Sequence, residues 1–458
     1  VVVEITKWPE YRRNPEGKVV EVLGYMDEKG TDIVSIIRQF KLPEEFPDRV
    51  KKYAASIKRE VTQEDMEGRV DLRELKTFTI DGADAKDLDD AISIERLENG
   101  NYSLGVHIAD VSHYVRENSI LDKEAFKRGN SVYLVDRVVP MLPKELSNGI
   151  CSLNPNEDRL TLSVIMEIDK NGNVVKHEIL EAVIRSRARL IYDDVSDYLE
   201  NDDEEAKEKL KDLLEELDLM KELAEILYKR RERRGSIDFN FPESMIILDE
   251  NGIPVEIKRV DRRIANRIIE EFMLVTNETV AEEYYWLEIP FLYRIHEEPS
   301  EEKIADFTKF IHNFGYVLKG KEIHPKELQQ LTKDIKGTNE EQVISTLLLR
   351  SLRKARYSEE PDIHFGLAAK YYSHFTAPIR RYPDLVIHRI IKDHLKGKLT
   401  PNKLRMLEER LPEIADHTSM TERRAEEAER EVEDLKKAQY MSSRIGEKYE
   451  GIISSITN

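Results

Sequence analysis

Cysteine is almost missing from this chain: Cys151 stands alone among 458 residues. No internal disulfide is possible, and a reducing compartment is expected. Long apolar runs are missing too. No uninterrupted stretch of about 18 apolar residues occurs, and no segment reads as a signal peptide. A cytoplasmic protein without a membrane partner is expected. Positive net charge is also lacking, with 72 Lys+Arg against 91 Asp+Glu giving −19. A bare count argues against nucleic-acid binding, but local clusters set the local field. Internal repeats and low-complexity tracts are absent.

What is present begins with size. By the usual prior of about 100–200 residues per domain, the chain holds two to four domains. Hydrophobic residues make up 40%, enough for a substantial core, and the 36% of charged residues exceeds the usual share and fits a very soluble protein. Basic residues cluster at Lys229–Arg234, at Lys258–Arg267 and at Arg380, Arg381, His388 and Arg389. These clusters are expected to line an interior channel while acids coat the outside.

Five aspartates crowd one short run, TIDGADAKDLDDA: Asp81, Asp84, Asp87, Asp89 and Asp90. Carboxylates at that density repel one another unless a cation sits among them. The run lies between an apolar-ending segment and a strand-like stretch, so it is not a solvated tail. The calcium-loop pattern fails, because Ala83, Lys86 and Ile92 fall where Asp, Gly and Glu are needed counting from Asp81. Zinc lacks its Cys and His ligands here. All-oxygen ligation suits magnesium or manganese. Magnesium takes few protein carboxylates plus substrate phosphate, so a phosphate-bearing substrate follows. Paired metals about 3.5–4 Å apart are a common device for phosphodiester cleavage.

Along the chain, residues 1–56 mix β-like runs with turn residues, and 71–115 read as strands around the aspartate loop. The spacing of Leu210, Leu213, Leu214, Leu217, Met220, Ala224 and Leu227 predicts one long helix over 202–234, ended by Gly235. Further helices are expected at 263–286, 300–315, 340–357, 383–397 and 402–445. The chain opens on VVVEI without Met and closes on YEGIISSITN, which reads as the first strand of a further β-domain. A piece of a longer protein is expected.

Six segments in order carry a family resemblance: TIDGADAKDLDDA, HIADVSHYV, VVPMLPKELSNGICSLNP, ANRIIEEFML, HFTAPIRRYPDLVIHR and TERRAEEAERE. Together they resemble the catalytic domain of the bacterial ribonuclease R and ribonuclease II family, more closely the ribonuclease R branch. The resemblance implies a mixed α/β (α+β) RNB-type catalytic domain over 57–445. It implies the tail of a cold-shock (OB-fold) barrel over 1–56 and the start of a C-terminal OB-type RNA-binding barrel over 446–458. The implied activity is processive, magnesium-dependent hydrolysis of single-stranded RNA from a free 3′ end, releasing nucleoside 5′-monophosphates in RNA turnover and quality control. A monomer without a dinucleotide cofactor is expected.

The resemblance also implies roles. Asp81, Asp87, Asp89 and Asp90 stand at the family's four active-site aspartates, with Asp81, Asp87 and Asp90 as the more direct metal ligands. Asp89 matches the residue whose loss stops cleavage while RNA still binds. Asp84 is outside this set. Arg380 in APIRR matches the catalytic arginine, a planar fork suited to a phosphate gaining charge. Arg381 is expected on another phosphate. Tyr192 and Phe239 match the pair sandwiching the 3′-terminal base, and Tyr133 matches the aromatic clamping RNA further along. Glu270 or Glu271 meets the terminal sugar, with Glu271 preferred. Ala377 stands where the family commonly has Ser, so a hydroxyl contact there is lost while a backbone contact can survive. Two other classes use the same residues: an RNA-binding protein that does not cut, and a metal-dependent phosphatase of small molecules.

Overall fold

The computed structural model describes residues 1–10, 14–25, 28–238, 243–318 and 323–451. A seven-stranded sheet organises the molecule. Its strands are β1 (Val70–Asp71), β2 (Phe78–Asp81), β3 (Asp90–Arg96), β4 (Tyr102–Ala109), β5 (Asp158–Ile168), β6 (Val174–Arg185) and β7 (Ala188–Ile191). Across the sheet they run β7-β2-β3-β4-β5-β6-β1. Pairing is antiparallel from β2 through β6, and parallel where β7 joins β2 and β1 joins β6. β4 and β5 are buried along nearly their whole length. They read as near-continuous apolar runs because both faces of the sheet are covered.

Five helices matter below: α1 (Tyr192–Asn201), α2 (Leu214–Arg234), α3 (Ile264–Trp286), α4 (Tyr382–Leu395) and α5 (Pro401–Ser442). α2 packs on β3 and α3 on β4. No described helix is long and apolar enough to cross a membrane.

One polar ladder crosses the buried centre of the sheet. The His107 ring, fully buried, meets Ser93 Oγ and Ser163 Oγ at 2.9 Å each. Gly105 is required beside it, because a Cβ there would lie 2.3 Å from Ser93 Oγ. His107 is thus a satisfied structural histidine.

Three expectations change. The helix over 202–234 is two helices, Glu204–Leu210 and α2. The turn between them, closed by Leu213 N–H donating to Leu210 O at 2.8 Å, lets Leu210 and Leu213 both enter the core. The helix begun at Glu341 stops at Ser351, and Arg356–Ser358 pairs instead with Tyr293–Ile295 as a short sheet. Residues 1–56 are not all β-like: the hairpin Val2–Lys7 with Glu16–Glu21 is followed by helices Thr31–Gln39 and Asp48–Ser56. The first of these buries Ile33, Ile36 and Ile37 against Ala425, Ala428 and Val432 of α5. Helical spacing on one face makes this docking possible. The expected C-terminal β-strand lies mostly outside the described residues, and 446–451 form no strand.

Candidate active site

The aspartate run is the loop between antiparallel neighbours. Asp81 is the last residue of β2 and Asp90 the first of β3, so the sheet sets them side by side at one end. Leu88 fixes the loop between them. Its side chain is buried, its N–H donates to Ser152 Oγ at 3.1 Å, and its carbonyl accepts from Leu153 N–H at 3.0 Å. Asp87 and Asp89 therefore flank a residue anchored in the core. Asp84 is exposed and stands apart.

Burial raises the carboxyls of Asp81 and Asp90 well above the ordinary range, and repulsion from neighbouring aspartates adds to it. Arg380 opposes the shift at both. Asp81 Oδ2 is buried with no hydrogen-bond partner. Two buried acids that repel each other, one with an orphaned oxygen, are what a bound cation would relieve. Among the described residues no three His, Cys, Asp or Glu side chains are placed to hold a metal ion by themselves. A carboxylate pair with an orphaned oxygen fits magnesium, which takes few protein ligands, keeps waters and completes its shell with substrate phosphate.

Arg380 enters from the turn before α4. Ile379 N–H donates to Asp89 Oδ1 at 2.9 Å, and Arg380 Nε stands 3.7 Å from Asp89 Oδ2. Asp89 is 5% exposed, and burial raises its carboxyl, with Arg380 opposing. The Arg380 side chain is itself 48% exposed. Asp89 thus holds the arginine-bearing turn from behind while the guanidinium faces solvent.

Arg381 behaves differently. Its Nε and Nη2 donate to Asp384 at 3.0 and 2.7 Å, and Asp384 is fully buried. Asp384 Oδ1 also accepts from Ala377 N–H at 2.8 Å, a backbone contact that the Ala-for-Ser departure leaves intact. Arg381 therefore braces the turn through Asp384. It still lines a cleft of about 250 Å³ together with Tyr133, Arg380 and Asn130.

Tyr133 sits on that cleft, 41% exposed, with its hydroxyl donating to Asp87 Oδ2 at 3.0 Å. Its N–H donates to Glu429 Oε1 of α5 at 2.7 Å. Tyr192 follows Ile191, the partner of Asp81 in the β7–β2 pairing, and is half-buried. Burial and then Asp90 and Asp81 push its hydroxyl far upward. Phe239 lies outside the described residues. Glu271 is 3% exposed and accepts from Arg231 Nη2 at 2.6 Å and Nε at 3.0 Å. Glu270 pairs with Arg262 and keeps 37% of its side chain exposed. Both glutamates are thus ion-paired, Glu271 in the interior and Glu270 at the surface.

Sequence reading passed over Asp384, Glu429 and Ser152. All three lie inside quoted motifs, so position was legible, but contacts to Ala377, Tyr133 and Leu88 depend on the tertiary path of the chain.

The family model of the RNB domain matches residues 69–397, and that of the cold shock domain matches 1–47. Ribonuclease R 1 of Lactococcus lactis is 50% identical over all of this chain and 56% of its own length. Ribonuclease R of Thermotoga maritima is 48% identical over all of this chain and 65% of its own length. The chain thus spans between half and two thirds of these two relatives. The solved structure of Mycoplasma genitalium RNase R in complex with ribose-methylated single-stranded RNA superposes with a TM-score of 0.92 at 32% identity, covering 99% of this chain and 71% of that one.

Proposed function

Because this chain belongs to the RNB-domain family, we propose that it is the catalytic part of a processive, hydrolytic 3′→5′ exoribonuclease of RNA turnover and quality control. The substrate is single-stranded RNA with a free 3′ end, and the products are nucleoside 5′-monophosphates. One observation carries the reading: the half-buried Asp81–Asp90 pair, at a sheet end with an orphaned oxygen, lies near Arg380, whose side chain is half exposed. The RNA-bound structure of the M. genitalium relative supports the substrate class.

Asp81, Asp87 and Asp90 would hold magnesium, with manganese as a substitute. The paired ions, when bound, supply an activated water and charge for the leaving 3′-oxygen. Asp89 orients Arg380 through the Ile379 N–H and its own carboxylate. Arg380 binds the scissile phosphate, where fixed donors act on charge that develops in the transition state. Tyr192, with Phe239, holds the 3′-terminal base, and Tyr133 stacks on a base further along; such stacking contributes about 1–3 kcal/mol per base. Glu270 takes the terminal 2′-hydroxyl, the group that separates RNA from DNA. Arg381 acts through Asp384 as the brace of this turn. The same reading divides the chain at 1–56, 57–445 and 446–458, places the protein in the cytoplasm and leaves it monomeric.

The test uses 5′-labelled single-stranded RNA, with magnesium or EDTA, beside Asp89→Asn. Collapse to a short fixed product, only with magnesium and only in the parent, is expected. RNA left intact but shifted on a native gel would make the chain a binding module. Hydrolysis of a chromogenic phosphate monoester with RNA untouched would make it a phosphatase.

A further inference from the structure

The C-terminal end of α3 opens onto an aromatic cleft that the proposed catalysis leaves unused. Its volume is about 460 Å³. Phe291 and Tyr293 are buried in its floor, while Tyr285 and Trp286 line its side. Trp286 is 65% exposed. Tyr285 lies 5.2 Å from Trp286 and 4.2 Å from Tyr371 between ring centroids, so the aromatics form one connected surface. At its margin Lys370 Nζ sits 4.9 Å from the Tyr371 centroid, so this surface already receives one ammonium.

Single exposed aromatics are ordinary and need no explanation. The charge around these is not ordinary. Glu288, Glu359 and Glu408 line the same cleft, and no Lys, Arg or His does. Among the described residues none of the three forms an ion pair. α3 also ends here without a basic residue in its last turn. The partial negative charge at its C-terminus therefore adds to that of the glutamates. Aromatic faces, free carboxylates and a helix C-terminus all favour a cation, and a planar guanidinium stacks on Trp and Tyr while bonding carboxylates in a fork. A phosphate backbone meets repulsion at the same place. From Glu271 to Trp286 the helix rises about 22 Å, so the cleft is remote from the aspartate site.

We infer that this cleft docks an arginine-bearing, extended segment of a partner protein. The guanidinium lies against Trp286 or Tyr285, the glutamates neutralise it, and Pro290 and Pro361 bound the path of the segment. The inference is independent of the ribonuclease reading.

The chain has two tryptophans, Trp8 and Trp286. Trp8 is 75% exposed, so Trp8→Phe leaves Trp286 as the sole reporter in an intact fold. That variant is titrated with an end-blocked Arg-Pro-Pro-Arg peptide, with a Glu-Pro-Pro-Glu peptide, and with a single-stranded RNA oligonucleotide. A saturable change in Trp286 emission is expected with the arginine peptide alone. Its midpoint should move at least tenfold when Glu288→Gln, Glu359→Gln and Glu408→Gln are combined, with an unchanged thermal melt. A second measurement follows anisotropy of a labelled arginine peptide on the otherwise unaltered chain and on Trp286→Ala, where a tenfold loss is expected. No saturable change, an equal response to the acidic peptide, or saturation by RNA would overturn the inference.

Discussion

The Tyr133 hydroxyl donates to Asp87 Oδ2 at 3.0 Å. A ring proposed to stack on RNA is thus tied to a carboxylate of the proposed metal site. Partners of ligating carboxylates typically alter metal affinity by about 10–100-fold. Tyr133→Phe keeps the ring and loses the hydroxyl. Its magnesium dependence should shift upward about tenfold, with RNA affinity in EDTA within twofold of the parent. Tyr133→Ala should weaken RNA binding as well. Activity titrated with magnesium, beside filter binding without it, checks both.

Two adjacent arginines should fail in different ways. Arg380→Lys is expected to lower kcat by about 10²–10³-fold, the scale of losing one fixed transition-state donor, with its melting temperature unchanged. Arg381→Gln leaves Asp384 buried without its cation. Breaking a buried pair costs about 3–5 kcal/mol. A urea-unfolding curve should show that loss, while surviving folded protein keeps its affinity for RNA.

The two glutamates of α3 separate by the same logic. Glu271→Ala should destabilise by about 3–5 kcal/mol, because Arg231 loses its buried partner. Glu270→Ala should melt within a degree or so of the parent. Its effect should fall on discrimination, narrowing the preference for a 3′-terminal ribose over a 2′-deoxyribose. Competition between those two substrates gives the measurement.

Three buried histidines set an acid limit on stability. Burial pushes His107 and His364 down to about 3 and His388 to about 4, from an ordinary 6.5. Each folded value lies below its unfolded value, so between them the unfolded chain binds more protons. Their contribution is full above about pH 6.5 and is lost as pH falls toward the folded values. Each contributes a slope of about 1.4 kcal/mol per pH unit in that window. The raised carboxyls of Asp81, Asp89 and Asp90 act in the opposite sense over the same window, so the histidine part is read as a difference. In urea midpoints at pH 7.5, 6.5, 5.5 and 4.5, stability relative to His107→Gln should decline in the parent as pH falls.

The chemistry of the site was legible where it is contiguous. The aspartate run, the APIRR turn and Tyr133 could be named from sequence because each sits in a short motif with a distinctive charge or aromatic pattern. The bracing contact of Arg381 was not legible, since two neighbouring arginines look alike until Asp384 claims one of them. Glu270 and Glu271 were indistinguishable for the same reason: the rotation of about 100° between successive helix residues decides which faces Arg231. The strands over 71–115 announced themselves through apolar runs, whereas the three between Asp158 and Ile191 and the Thr31–Gln39 helix were not read. That helix is nine residues long and marginal by itself, and its stability comes from α5, nearly 400 residues downstream.

That docking orders events in time. Lys436 Nζ bonds Asp32 Oδ2 at 2.7 Å, across 404 positions of chain. At synthesis rates of about 5–20 residues per second, the Thr31–Gln39 helix waits roughly 20–80 s for the surface that buries it. Throughout that interval Ile33, Ile36 and Ile37 have no α5 to cover them. A nascent chain stalled before residue 425 should therefore expose this segment to a chaperone or a protease, and release past residue 436 should hide it.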